Sequence, residues 1–153
     1  MGKLGCVTRR RGPSITGLLP LPCPFVLSGF PIRPAIPVSD MDRAVKFYGD
    51  TLRFSQSRSQ LATGEVLFES GGIVFFLYES EFAGTNRATV AAWPVADLEA
   101  IMGELRAAGV KFLDFDEVDF KTVDGIFEAE NGSKAAWFMD SEGNTLALGQ
   151  LAT

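Results

Sequence analysis

Eight residues of the chain recur 57 positions apart, as Ala35-Ile-Pro-Val-Ser-Asp-Met-Asp42 and Ala92-Trp-Pro-Val-Ala-Asp-Leu-Glu99. Such a repeat fixes architecture before any single side chain does, because a duplicated segment folds as two copies of one supersecondary unit whose apolar faces are buried together. Each copy carries an aspartate, Asp40 or Asp97, ahead of a helical pattern. A carboxylate there accepts from the unpaired N–H groups of a first turn, so each aspartate is expected to open a helix.

In the first half, residues 32–38 read as a strand. Met41, Ala44, Val45, Tyr48 and Leu52 then recur at the helical period and mark one buried face. Residues 54–60, 65–70 and 73–79 read as strands, separated by Thr63-Gly64 and by Gly71-Gly72, which suit tight turns. The second half repeats the order. Residues 88–95 form the strand, Asp97 the cap, and Leu98, Ile101, Met102, Leu105 and Ala108 the buried helix face, ended by Gly109. Strands are expected near residues 110–113, 133–139 and 144–151. The two modules span residues 31–80 and 87–151, and the main departure from symmetry is an acidic insertion over residues 114–131. A stretch of that length often covers or lines a site, or is a solvated surface loop.

Histidine is absent from all 153 residues, which removes the commonest neutral metal ligand and general base. No Ser-His-Asp or Cys-His pair can form, and no glycine-rich phosphate loop occurs. A net charge of −5, with Lys and Arg dense only at Arg9-Arg10-Arg11, argues against nucleic acid as a partner. Both cysteines, Cys6 and Cys23, precede the repeat, so no disulfide framework holds it. Residues 1–30 are expected to be a flexible N-terminal extension. Arg9–11 ahead of residues 15–30 has the outline of an export signal, but Pro13, Pro20, Pro22 and Pro24 break the apolar stretch. No apolar run is long enough for a transmembrane helix, and the expected setting is the cytoplasm with no membrane partner.

Two strand-helix-strand-strand-strand units resemble the vicinal oxygen chelate superfamily of glyoxalases, extradiol dioxygenases and bleomycin-resistance proteins. The resemblance rests on Val-x-Asp-Met/Leu-Asp/Glu at each helix start, Ala44-Val-Lys-Phe-Tyr48 after the first cap, and Ala135-Ala-Trp-Phe-Met-Asp140 leading to Asp140-Ser-Glu-Gly-Asn144. It implies an α+β fold of two tandem βαβββ modules, each a strongly curved, incomplete barrel, together making a cupped cavity. It also implies a homodimer, which would cover open sheet edges.

Enzymes of that superfamily hold a divalent metal with residues from the first and last strand of each module. Counting from the capping aspartates and the last turn, the resemblance places these positions at Arg33, Glu79, Val90 and Ala147. Only Glu79 could bind a metal, too few donors for a site, so no cofactor and no metal are expected. Arg33 and Glu79 are expected to form an ion pair or to share a ligand's polar group. Strand alternation adds Ala35, Phe75, Leu77, Val90, Ala92, Thr145 and Ala147 to the cavity wall, with Trp137 as a stacking candidate and Phe115, Phe120 and Lys121 as loop residues that could close over it. The same alternation turns Trp93 toward the helix.

The leading expectation is therefore a metal-independent binding protein that sequesters or senses an apolar or aromatic small molecule. The alternatives are a lyase or isomerase using Glu79 as general base with Arg33 as electrostatic stabiliser, and an interaction module whose cavity its own side chains fill.

Overall fold

Each repeat folds into a four-stranded sheet of its own, and the two sheets have the same strand arrangement. The structure is a computed structural model that describes residues 30–57, 64–118 and 120–152. The chain divides at Ile32/Arg33, and both repeats belong to the second unit. The extension expected over residues 1–30 therefore lies outside the described residues, apart from Phe30.

In the first repeat, β1 (Ala35–Val38) leads into α1 (Met41–Lys46). Asp40, in an extended conformation, accepts from Arg43 N at 3.0 Å and so caps the helix as its sequence implies. The helix then widens into a π-type turn over Phe47–Thr51, with Leu52 N donating to Phe47 O. Next come β2 (Ser55–Gln56), β3 (Val66–Ser70) and β4 (Ile73–Glu79). Gly71 and Gly72 both take positive φ, which only glycine adopts without strain, and this closes the β3–β4 hairpin. The strand order is β1-β4-β3-β2, with β1 parallel to β4.

The second repeat begins with β5 (Thr89–Pro94) and α2 (Leu98–Ala107), and the Asp97 carboxylate accepts from Ala100 N at 3.0 Å. Within the insertion, β6 (Asp116–Glu117) and β7 (Phe120–Lys121) pair as a separate small hairpin. The strands β8 (Ile126–Glu128), β9 (Lys134–Met139) and β10 (Thr145–Gln150) complete the second sheet in the order β5-β10-β9-β8. Its outer place is therefore filled from within the acidic insertion. Residues 110–113, expected to be a strand, contribute only a bridge between Phe112 and Phe138.

One core joins the helix-facing sides of both sheets, with Ile36, Val38, Phe68, Phe75 and Leu77 from the first and Ala136, Phe138, Leu146 and Leu148 from the second. Tyr48 from the π-type turn is fully buried, its ring 6.0 Å from that of Phe68 and 5.9 Å from that of Phe75. Burying each such ring stabilises the fold by about 2–3 kcal/mol.

A polar clasp ties the start of α1 to the last turn. The buried Glu142 carboxylate accepts from Ser39 N, Ser39 Oγ, Asp40 N and Ser141 Oγ, and Arg43 Nε and Nη2 hold its two oxygens at 2.8 Å each. Burial alone would raise this carboxyl, but the hydrogen bonds from Arg43, Ser39 and Ser141 outweigh it and hold its pKa down at about 2. Beside it, Asp140 Oδ1 accepts from Glu142 N and Asn144 N, and Oδ2 accepts from Asn144 Nδ2 and Tyr48 OH. Burial and the adjacent Asp140 together push the Tyr48 hydroxyl well above the usual phenol range, so it stays a donor.

Candidate functional site

Strand register decides which side chains share a face. Ala35 lies opposite Phe76 and Ile36 opposite Leu77, so Ala35, Pro37, Val74, Phe76 and Tyr78 point to one side. Ile36, Val38, Phe75 and Leu77 point to the other, toward the core. This corrects the expectation that Phe75 and Leu77 share the face of Arg33 and Ala35. Leu77 is fully buried and lines none of the three hollows described below.

The proposed Arg33–Glu79 pair is also corrected. Glu79 lies opposite Val38, five residues along the parallel ladder from Arg33. At about 3.3 Å per residue that is a separation of roughly 16 Å. Both side chains are exposed, and no ion pair joins them. Glu79 is thus a solvated carboxylate at a strand end, without the nearby cation or enclosure that a general base with a stabilising arginine needs.

In the second sheet, Ala92, Ala147 and Trp137 lie directly across from one another and share the face opposite α2. Trp137 does not stand free on that face. Its ring packs against Phe115 at 5.7 Å, Phe120 at 5.3 Å and Phe127 at 6.5 Å, so three aromatic rings of the insertion surround it. Lys121 points outward and pairs with Asp116 at 2.8 Å. Val90 departs from simple alternation, because the ladder pairs Thr145 with Thr89 but Leu146 with Ala91. The extra residue forms a bulge that turns Val90 toward the core.

The positions that the superfamily resemblance assigns to metal ligands do not fit a metal. Arg33, Val90 and Ala147 offer no anionic donor, and Glu79 stands alone. Among the described residues no three Cys, Asp or Glu side chains converge.

What the structure brings together is an apolar cleft of about 420 Å³ between the modules. Phe75, Val90 and Ala92 of the expected set line it, joined by Ile36, Ser70, Ile73 and Trp93. None of its lining residues is ionisable. Trp93 faces the helix side as alternation implies, stacks on Phe54 at 5.5 Å and donates its indole N–H to Ser70 Oγ at 3.0 Å. Neither Trp93 nor Ser70 stands out as a site residue in the sequence, because the wall they form depends on how one repeat meets the other. A smaller hollow of about 160 Å³ lies between α2 and the end of the π-type turn, lined by Leu52, Phe54, Trp93, Val95, Ile101 and Leu105 together with Phe138 and Leu148.

A third hollow, about 450 Å³ at the end of α2, is bordered by Arg106, Lys111, Asp114 and Asp124. Its polar groups serve the loop itself. Arg106 Nη2 donates to Asp124 O at 2.6 Å, and Asp114 Oδ1 accepts from Gly125 N and Thr122 Oγ1.

The architecture has many counterparts among solved structures. Lactoylglutathione lyase from Agrobacterium tumefaciens superposes with a TM-score of 0.59 at 16% identity, covering 79% of this chain and 92% of that one. The genomically encoded fosfomycin resistance protein from Listeria monocytogenes gives 0.56 at 12% identity, covering 81% and 92%. A glyoxalase/bleomycin resistance protein/dioxygenase from Nocardioides gives 0.56 at 15%, covering 76% and 79%. No curated protein sequence matches the chain. Residues 32–148, however, match the Glyoxalase/Bleomycin resistance protein/Dioxygenase superfamily. With the duplicated βαβββ unit and its unclosed sheets, this places the chain in that superfamily.

Proposed function

We propose that this protein is a metal-independent binder that sequesters or senses an uncharged, apolar or aromatic small molecule in the cleft between its modules. The observation that carries this reading is the cleft's chemistry. Its volume of about 420 Å³ lies in the range of ordinary ligand sites, and its lining has no ionisable group. A charged ligand entering it would lose hydration without gaining a partner, whereas an apolar one gains from burial. The lyase or isomerase alternative draws no such support from Glu79, which is exposed and far along the ladder from Arg33.

The reading includes a cytoplasmic chain that pairs with a second copy. The unclosed edges of the two sheets support the pairing, because a second copy would cover them. No described helix is long and apolar enough to cross a membrane.

Native mass spectrometry of freshly purified protein, with elemental analysis of the same sample and a screen against a mixed library of neutral and charged small molecules, tests the proposal. The expected result is a neutral organic molecule bound at up to one per chain, with transition metal far below stoichiometry. A stoichiometric metal ion, or a library whose hits are all charged, would overturn it.

A further inference from the structure

The 420 Å³ cleft and the 160 Å³ hollow share two wall residues, Trp93 and Val95. We infer that they form one bipartite site for a neutral aromatic carbonyl compound, with its ring and carbonyl in the larger chamber and a compact apolar substituent in the smaller. The inference rests on the reading of the cleft as a ligand site and adds the class of ligand.

Three observations carry it. First, Ser70 Oγ accepts the Trp93 indole N–H at 3.0 Å, which leaves the hydroxyl proton free to donate into the cleft. A single polar side chain on an apolar wall, offering a hydroxyl donor, selects a neutral acceptor, and a carbonyl supplies one without adding charge. Second, the smaller hollow is lined wholly by apolar and aromatic side chains. Its size is close to the roughly 150 Å³ of an engineered apolar cavity that stays dry and takes up benzene.

Third, the edges beside the cleft are unsuited to a peptide strand. Phe76 N donates to Pro34 O, and Ser80 N to Val38 O, so residues 34, 36 and 38 of the first strand face β4 while 35 and 37 face outward. Val95 N donates to Gly149 O, so in β5 residues 92 and 94 face outward by the same alternation. The outward positions therefore include Pro37 and Pro94, which have no N–H. Asn144 Nδ2 already occupies Pro37 O at 2.8 Å. An added strand would find half its donors missing on either edge, so the space suits a small molecule better than an extended peptide.

The test is a homologous series of 2-naphthyl ketones, from the methyl to the pentyl ketone, titrated into Trp137→Phe protein so that Trp93 is the sole indole reporter. The expected result is one molecule per chain, a change in Trp93 emission, and affinity rising about fourfold per methylene over the first few members. Ile101→Phe, which fills the smaller hollow, is expected to flatten that rise while the methyl ketone still binds. Isothermal titration of wild-type protein with the same series gives the slope without any variant. Binding with no dependence on chain length would overturn the bipartite site and leave the cleft reading standing. Failure of every ketone to bind, when the mixed library yields other neutral ligands, would overturn the carbonyl assignment alone. Failure of both would remove the cleft reading as well.

Discussion

Replacing Glu142 with glutamine isolates one of the interactions that join the two repeats. The two carboxylate oxygens accept six hydrogen bonds, from Ser39 N, Ser39 Oγ, Asp40 N, Ser141 Oγ, Arg43 Nε and Arg43 Nη2. A glutamine of the same size turns an NH2 toward one set of these donors and removes the charge that faces Arg43. Breaking a buried ion pair typically costs about 3–5 kcal/mol. Here Arg43 is 51% exposed and keeps part of its hydration, so a loss of about 2–3 kcal/mol is the expectation. In a unit of this size that lowers Tm by roughly 10 °C.

The pH dependence supplies an internal control. Glu142 titrates at about 2 in the fold against an ordinary value of 4.5, so the folded state favours its charged form. Its contribution is fully present above about pH 4.5 and fades as pH falls toward 2. Thermal melts followed by circular dichroism at pH 7, 4 and 2.5 should therefore show wild type and Glu142→Gln far apart at neutral pH and converging in acid. Equal melting temperatures at pH 7, or a gap that does not shrink on acidification, would refute the reasoning.

Two further substitutions test how the modules are held. Gly84 has φ of +69°, and a Cβ built there would lie 2.3 Å from the Glu142 carbonyl oxygen, so Gly84→Ala should cost about 3 kcal/mol in urea unfolding; an unchanged midpoint would show that the connection is not docked on the last turn. Pro94→Val returns an outward N–H to the β5 edge and should promote assembly beyond the wild-type state, measured by light scattering across protein concentrations. Identical scattering would mean that the proline does not protect that edge.

The elements whose causes are local were legible in the sequence. Asp40 and Asp97 cap their helices, Gly71-Gly72 turns a hairpin, and Tyr48 and Met102 fall on buried helix faces, because each depends on neighbours within a few residues. The site was less legible. Which side of β4 faces outward is set by the pairing of Ala35 with Phe76, a register fixed across 41 positions of chain, and counting from the caps put Phe75 and Leu77 on the wrong face. The bulge at Val90 breaks the alternation locally. β8, only three residues long, carries too little periodicity to be found inside an acidic insertion. Glu142 reads as part of a turn, and its role appears only when Arg43, 99 positions away, is brought against it.

Where the two copies of the repeat agree they build the scaffold, and where they differ they build the contacts between modules. Ile36 and Trp93 occupy the same place 57 positions apart, both on the helix-facing side of a first strand. Ile36 is small enough to be covered completely, whereas the larger indole of Trp93 reaches across to Phe54 and Ser70 of the other module and forms the wall of both hollows. Ser39 and Arg43 grip Glu142, but their counterparts Ala96 and Ala100 have no group that could do so, and the start of α2 is served instead by Gln150 Oε1 accepting from Leu98 N. The clasp can therefore form in one direction only, from the first helix to the second module's last turn. That asymmetry selects a single arrangement of two otherwise interchangeable units, and the cleft at Trp93 is a feature of that arrangement.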